Sequence, residues 1–171
     1  MRGPIDQLGY VTADLDRAVA LWRDKLGVGP WTVFRNVRLT GTYRGAPAEV
    51  GIDVALAYRG SLQIELIQPT DTEPSPYRDE ARALRLGAHH VAWVVHDLDA
   101  EITRCAGQGL QPIFQAGNAA SRVAYFEPEP GVIWELIEGT GMRAMIDAGI
   151  AAAADWDGSD PVTEIDLAAP A

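Results

Sequence analysis

One stretch of the chain recurs eighty-three residues on, and that recurrence limits the fold more than any other feature. Residues 7–16 read QLGYVTADLD and residues 90–99 read HVAWVVHDLD. The apolar positions agree, Tyr10 answers Trp93, and the Asp-Leu-Asp triplet aligns without a gap. One register further, Gly27-Val28-Gly29-Pro30 answers Gly109-Leu110-Gln111-Pro112. A second echo joins IELI at 64–67 to WELI at 134–137. A period this long is not that of a solenoid; it denotes two copies of one supersecondary unit.

Each copy predicts a strand, a helix and three further strands. Residues 5–12 and 88–96 are short runs rich in β-branched and aromatic residues, which read as strands. Asp14 and Asp97 then stand where a helix N-cap belongs, and a carboxylate there also suits the helix dipole. Apolar residues at 15, 18, 19, 22 and 26 line one helical face, and Gly27 stops it. A weaker helix follows over 98–107, ended by Gly107 and Gly109. Strands are expected at 31–39, 48–58 and 61–68, and again at 110–116, 121–127 and 132–138. The first module therefore spans 4–69 and the second 87–139. The linker, 70–86, opens with two prolines among small polar residues and continues with good helix formers over 77–86, predicting a short helix. Apolar residues at 142, 145, 146, 150 and 153 predict an amphipathic helix within the C-terminal segment 140–171. Residues 155–161 read as irregular, with Trp156 packed on something.

Composition narrows the function classes. Hydrophobic residues make up 47% and charged residues 22% of 171 residues, the profile of a globular chain with a real core. A net charge of −10 opposes binding to a phosphate backbone. A single cysteine, Cys105, falls in the second helix and reads as a packing residue. No run of apolar residues is long enough to span a membrane, and the N-terminus lacks a basic region followed by an apolar one, so cytoplasmic location is the expectation.

Side chains alternate across a strand. Gln7, Gly9 and Val11 thus share one face, as do His90, Ala92 and Val94, and the small residues at 9 and 92 leave room near Gln7 and His90. Glu65 and Glu135 sit inside apolar runs, where a carboxylate is costly to bury without a partner. Alone, each would read as an edge or solvent-facing residue. Four polar residues at pairwise equivalent positions have another explanation, because pseudo-symmetry would gather them about one axis. Oxygen and nitrogen donors without thiolate suit Zn²⁺, Ni²⁺, Co²⁺, Fe²⁺ or Mn²⁺.

At this point the chain resembles the vicinal-oxygen-chelate superfamily, which holds glyoxalases, bleomycin-resistance proteins and dioxygenases. The resemblance rests on the Asp-Leu-Asp triplets, LGVGPW at 26–31, QIELIQP at 63–69, GAHHVAWVV at 87–95 and WELIE at 134–138, and covers residues 4–139. Within the superfamily the chain is most similar to the branch containing methylmalonyl-CoA epimerase and many glyoxalase-like proteins. The resemblance implies an α+β fold: two paired βαβββ modules forming a cupped, eight-stranded, barrel-like sheet around a metal, here followed by a C-terminal helix and tail. It also implies one ligand from the first and last strand of each module, hence Gln7, Glu65, His90 and Glu135. Many relatives have His at the first position, but eukaryotic-type glyoxalase I uses Gln, Glu, His and Glu in this order.

What the resemblance implies chemically is a lyase, isomerase or epimerase that moves a proton next to a carbonyl, with a divalent metal stabilising an enolate and a glutamate as base. Glu135 is the expected base and Glu65 the second candidate. The substrate would be a bulky carbonyl compound or thioester, bound by Trp31, Phe34, Tyr43, Trp93 and Tyr125, with Trp134 also near and with Arg35, Arg38, Arg44 or Arg122 available for an anionic group. His89 and His96 read as structural or exposed. Relatives often pair as homodimers, and the segment after 140 is a plausible partner surface. Two alternatives stay open: a metal-free binding or resistance protein, and a ring-cleaving dioxygenase, against which Gln7 argues because that chemistry uses two histidines and a carboxylate around Fe(II).

Overall fold

The structure, a computed structural model, describes residues 3–168. Strand β1 (Gln7–Val11) leads into helix α1 (Leu15–Leu26), then β2 (Trp31–Tyr43), β3 (Ala46–Arg59) and β4 (Leu62–Pro69). After the linker come β5 (Gly87–Val94), α2 (Leu98–Ala106), β6 (Phe114–Gly117), β7 (Ser121–Glu129) and β8 (Val132–Gly139). Helix α3 (Met142–Asp155) and strand β9 (Val162–Asp166) follow.

The local signals act as written. The Asp14 carboxylate accepts from the Arg17 amide and the Asp97 carboxylate from the Ala100 amide, satisfying donors that a first helical turn leaves open. Gly27 closes α1 in the left-handed region at φ 60°. β6 begins only at Phe114, two residues beyond Pro112, which cannot donate to a ladder.

β1 pairs in parallel with β4, β4 antiparallel with β3, and β3 antiparallel with β2. The second half repeats this as β5–β8–β7–β6. The halves join twice, through antiparallel β1–β5 and through β2–β6 from Thr40↔Gly117 to Tyr43↔Phe114. Eight strands thereby close into a barrel-like sheet, the α+β architecture expected. β9 adds a ninth strand, parallel to β2 along Trp31–Arg35.

Alternation sorts the core into three parts. Val11, Ile67, Val54, Phe114, Val123, Tyr125 and Ile137 fill the interior. Trp31, Val33, Ala57 and Leu66 pack outside, against Leu15 and Val19 of α1. Ala124, Phe126 and Leu136 do the same against Leu98 and Cys105 of α2. Cys105 is thus a fully buried packing residue.

Two segments depart from expectation. Residues 77–86 form turns and an isolated Arg78↔Leu84 bridge, not a helix. Arg82 adopts φ 67°, the Asp79 carboxylate caps the Ala83 amide, and Tyr77 is drawn into the barrel interior, 1% exposed. Good helix propensity is a weak prior and loses here to burial of one large ring. At the other end, residues 156–161 are irregular as expected and Trp156 lies against Gly29, where an added Cβ would come within 2.7 Å of the indole, but the tail beyond them forms β9, a strand that the sequence pattern does not announce. Among the described residues, no helix is long and apolar enough to cross a membrane.

Candidate metal centre

Gln7, Glu65, His90 and Glu135 come from β1, β4, β5 and β8 respectively, four strands that lie side by side in the sheet. Register places Gly9 opposite both Glu65 and His90, and Ala92 opposite both Gln7 and Glu135. Each ligating candidate thus faces a small residue across the ladder. At Gly9 the space is already taken: a Cβ there would sit 2.0 Å from Cε1 of the His90 ring. The imidazole occupies the volume that a side chain at position 9 would need.

The β1–β5 ladder skips one residue, pairing Gly9 with His90 and Tyr10 with Ala88. His89 is the extra residue of this bulge, so two consecutive histidines are both buried. His89 Nε2 lies 2.9 Å from the Pro76 carbonyl oxygen, which can only accept. That nitrogen therefore carries the proton. Burial, then the neighbouring His90, push His89 down to about 3, so it is neutral and its Nδ1 is a lone pair. His90 Nδ1, 2.9 Å away, must donate to it.

The consequence falls on His90 Nε2. With Nδ1 already protonated, a neutral ring turns its remaining lone pair towards three oxygens: Glu135 Oε2 at 3.0 Å, Gln7 Oε1 at 3.3 Å and Glu65 Oε2 at 3.4 Å. Four electron-rich atoms facing one another require a cation. A proton can serve: burial lowers His90, but Glu135 and Glu65 outweigh it and raise the ring to about 9. A single proton satisfies only part of the cluster. Glu65 Oε2 is buried without a hydrogen-bond partner among the described residues, close to His90 but outside bonding geometry.

A divalent ion fits the donor set better. Ligand bonds of about 2.1 Å at right angles place neighbouring donors about 3.0 Å apart, and the separations just given run from 3.0 to 3.4 Å. Glu65, His90 and Glu135 offer ligand atoms all within 4.8 Å of one another. Burial raises the Glu135 carboxyl above its ordinary range, although His90 and a hydrogen bond from Tyr125 oppose the shift.

The expected substrate groove is only partly present. Tyr125 borders the cluster, its ring 5.2 Å from that of His90. Phe34, half-buried, pairs with interior Val54, and Tyr43 packs on Phe114 at the β2–β6 seam. Trp31 and Trp93 do not reach the site. Trp31 is buried beneath α1 with its Nε1 donating to Val28 O, while Trp93 packs towards α2 and donates to Gly3 O. Trp134 lies on that same outer face, stacked on Phe126 at 4.3 Å.

The candidate arginines are engaged elsewhere. Arg35 bonds Asp16, Asp53 and Glu164, Arg38 lies 4.0 Å from Glu49, Arg44 pairs with Glu127, and Arg122 with Asp99 and Glu138. A cavity of about 720 Å³ bordered by His96, Asn118 and Arg143 contains none of the four donors. His96 is exposed there and holds no place in the cluster. Convergence of donors, not cavity size, marks the candidate site.

Three further residues at the cluster escape a reading of the sequence. The hydroxyl of Tyr77, from the linker, meets that of Tyr125 at 3.2 Å. Gln63 and Tyr58 stand behind Gln7. Gln63 alone carried a signal, since alternation puts it on the face of Glu65.

Comparison with known proteins agrees with this fold. No curated protein sequence matches the chain. Among solved structures, methylmalonyl-CoA epimerase from Mycobacterium tuberculosis superposes with a TM-score of 0.54 at 26% identity, covering 82% of this chain and 91% of its own. A hypothetical protein from Bacillus halodurans C-125 gives 0.55 at 22%, covering 79% and 93%. A single-residue variant of Streptomyces coelicolor methylmalonyl-CoA epimerase, in complex with 2-nitronate-propionyl-CoA, gives 0.54 at 21%, covering 80% and 94%. The family profile described as glyoxalase/bleomycin resistance protein/dioxygenase superfamily matches residues 6–126. Two copies of βαβββ, a closed eight-stranded sheet and this match over most of the chain lead to one statement: the chain belongs to that superfamily.

Proposed function

We propose that the protein is a metal-dependent isomerase or epimerase that moves a proton on the carbon next to a carbonyl. The observation carrying this reading is the position of His90 Nε2, turned to the site by the His89–Pro76 hydrogen bonds and lying 3.0–3.4 Å from three oxygens. Gln7, Glu65, His90 and Glu135 would hold the ion. A divalent cation there would supply Lewis-acid stabilisation of charge developing on a carbonyl oxygen.

The chain's own residues supply the proton chemistry. Glu135, buried and with its basicity raised by burial, takes the proton from the carbon. Glu65 comes from the other half of the barrel, and its side chain is 15% exposed against 4% for Glu135. Two carboxylates from opposite halves suit removal of a proton from one face and delivery to the other, with no net change in protons. That arrangement favours epimerisation over a lyase reaction. The name of the Mycobacterium tuberculosis neighbour supports the same class and a thioester substrate. Tyr125 and Phe34 would contact the acyl part. We further propose a homodimer, the state that the family resemblance implies, and a cytoplasmic location.

Protein purified without chelator is expected to carry close to one divalent ion per chain, or to gain one on adding Ni²⁺, Co²⁺ or Zn²⁺. Less than about 0.2 ion per chain with no gain on addition overturns the reading in favour of a metal-free binding module. Incubation of the loaded protein with 2-substituted acyl thioesters in D₂O is expected to place deuterium next to the carbonyl.

A further inference from the structure

Behind Gln7 runs a short buried chain of hydrogen bonds. Gln7 Nε2 donates to Gln63 Oε1 at 2.8 Å, and Gln63 Nε2 donates to the Tyr58 hydroxyl at 2.5 Å. Gln7 is 3% exposed, Gln63 2% and Tyr58 8%. The Tyr58 ring is held by α3: a Cβ at Gly149 would lie 2.0 Å from its Cε2. The last link of the chain is therefore fixed by the helix that follows the second module.

An amide has a donor end and an acceptor end, and only its oxygen has a lone pair for a cation. Nothing in the covalent structure of Gln7 chooses which end faces the cluster. Its neighbour does. With Gln63 Oε1 turned towards it, Gln7 must point its nitrogen back and its oxygen forward, and the oxygen stands 3.3 Å from His90 Nε2. Turning Gln7 alone would set oxygen against oxygen in a buried site, at the cost of an unmade hydrogen bond. The two amides can turn only together, with the Tyr58 hydroxyl then donating, and the turned pair would set the Gln7 N–H against a cation in the cluster.

We propose that Gln63, anchored by Tyr58, is the positioning residue that turns the Gln7 amide oxygen into the donor cluster and so makes Gln7 a metal ligand. This rests on the metal reading above. Residues that orient a ligand from behind typically change metal affinity about 10- to 100-fold when lost. The second half has no copy of the device, because the residue two before Glu135 is Ile133.

The test is Co²⁺ binding, measured by chelator competition and by the visible absorption of the bound ion, with thermal melting of each metal-free variant as control. Gln63→Met is expected to raise the Co²⁺ Kd about 10-fold or more and to shift the absorption band. Gln63→Glu keeps an acceptor for Gln7 Nε2 and is expected to restore most of the affinity. Tyr58→Phe keeps the ring against Gly149 and is expected to raise the Kd about threefold; it decides the matter should Gln63→Met fail to fold. Wild-type Kd and spectrum in Gln63→Met and Tyr58→Phe, with Gln7→Ala impaired, overturn the inference and leave the metal reading standing. Failure of the wild-type protein to bind Co²⁺ overturns both.

Discussion

The two halves hold equivalent side chains in unlike ways. In the second half His90 is locked through its ring: Nδ1 bonds His89, whose far nitrogen bonds Pro76 O, and Glu135 bonds both His90 and Tyr125. In the first half Gln7 is held through Gln63 and Tyr58, and Glu65 keeps an oxygen without a hydrogen-bond partner among the described residues. One half is a finished hydrogen-bond network; in the other, Glu65 faces His90 Nε2 at 3.4 Å without a hydrogen bond. Duplication supplied the strands. The divergence of what stands behind each donor, Gln63 against Ile133 and His89 against Asp6, made the halves complementary instead of redundant.

The largest effect should come from the finished half. Glu135→Gln removes the proposed base and is expected to lower deuterium exchange by at least about 10²-fold. It also leaves His90 with one partner fewer in a buried site, a loss of about 3 kcal/mol in metal-free protein. Wild-type exchange in this variant would move the base to Glu65 and undo the asymmetry. Tyr77→Ala comes next. The ring is buried against Tyr125 and His89, and its removal should cost about 3 kcal/mol by denaturant titration. Because Pro76 anchors His89, the same variant should weaken Co²⁺ binding, whereas Tyr77→Phe, losing one hydroxyl contact, should cost about 1 kcal/mol. Equal Co²⁺ affinity in all three proteins would show that the linker plugs the barrel without supporting the site.

How much of this was legible follows from what each residue depends on. The doubled βαβββ unit shows in the sequence because caps, glycine stops and alternation are local, and both copies obey them. Alternation also placed Gln7 with Gly9 and His90 with Ala92. The same rule counts Trp93 out of the site, since it lies one residue from Ala92 and faces α2. Trp31 could not be excluded that way, because its face is decided by where α1 packs. The bulge at His89 is a matter of pairing between β1 and β5, invisible to either strand alone. Tyr77 sits in a segment whose composition reads as polar linker and whose helix formers promised a helix; only the barrel's interior gives its ring a place. β9 is exposed along its whole length, so no apolar pattern announces it.

Position 9 offers a sharper comparison of the halves. Ala92, its pseudo-symmetric counterpart, carries a Cβ opposite Gln7 without conflict and is fully buried. Gly9→Ala should be costly by about 1–3 kcal/mol, because the new methyl meets the imidazole and backbone and ring must both yield. Ala92→Gly should cost about 1 kcal/mol, mainly through strand entropy. Co²⁺ affinity should fall in the first and hold in the second. Equal effects would mean that the imidazole does not depend on the missing side chain.

The smallest effect is the most diagnostic, because its sign differs between the halves. In metal-free protein Glu65 holds a buried oxygen that makes no hydrogen bond among the described residues, and such a group costs about 1–3 kcal/mol when fully enclosed. Glu65 is 15% exposed at its side chain, so the cost lies at the low end. Glu65→Gln removes the charge and leaves the shape. Metal-free stability should therefore rise by up to about 1 kcal/mol in urea with chelator present, less the lost attraction to protonated His90, while Co²⁺ affinity falls. Glu135→Gln should lower both. Opposite signs for the same chemical change at equivalent positions would mark Glu65 as a residue kept for its ligand and not for the fold. A loss of stability in Glu65→Gln as large as that in Glu135→Gln would show instead that the proton on His90 serves the two carboxylates alike, and that the first half is as complete without a cation as the second.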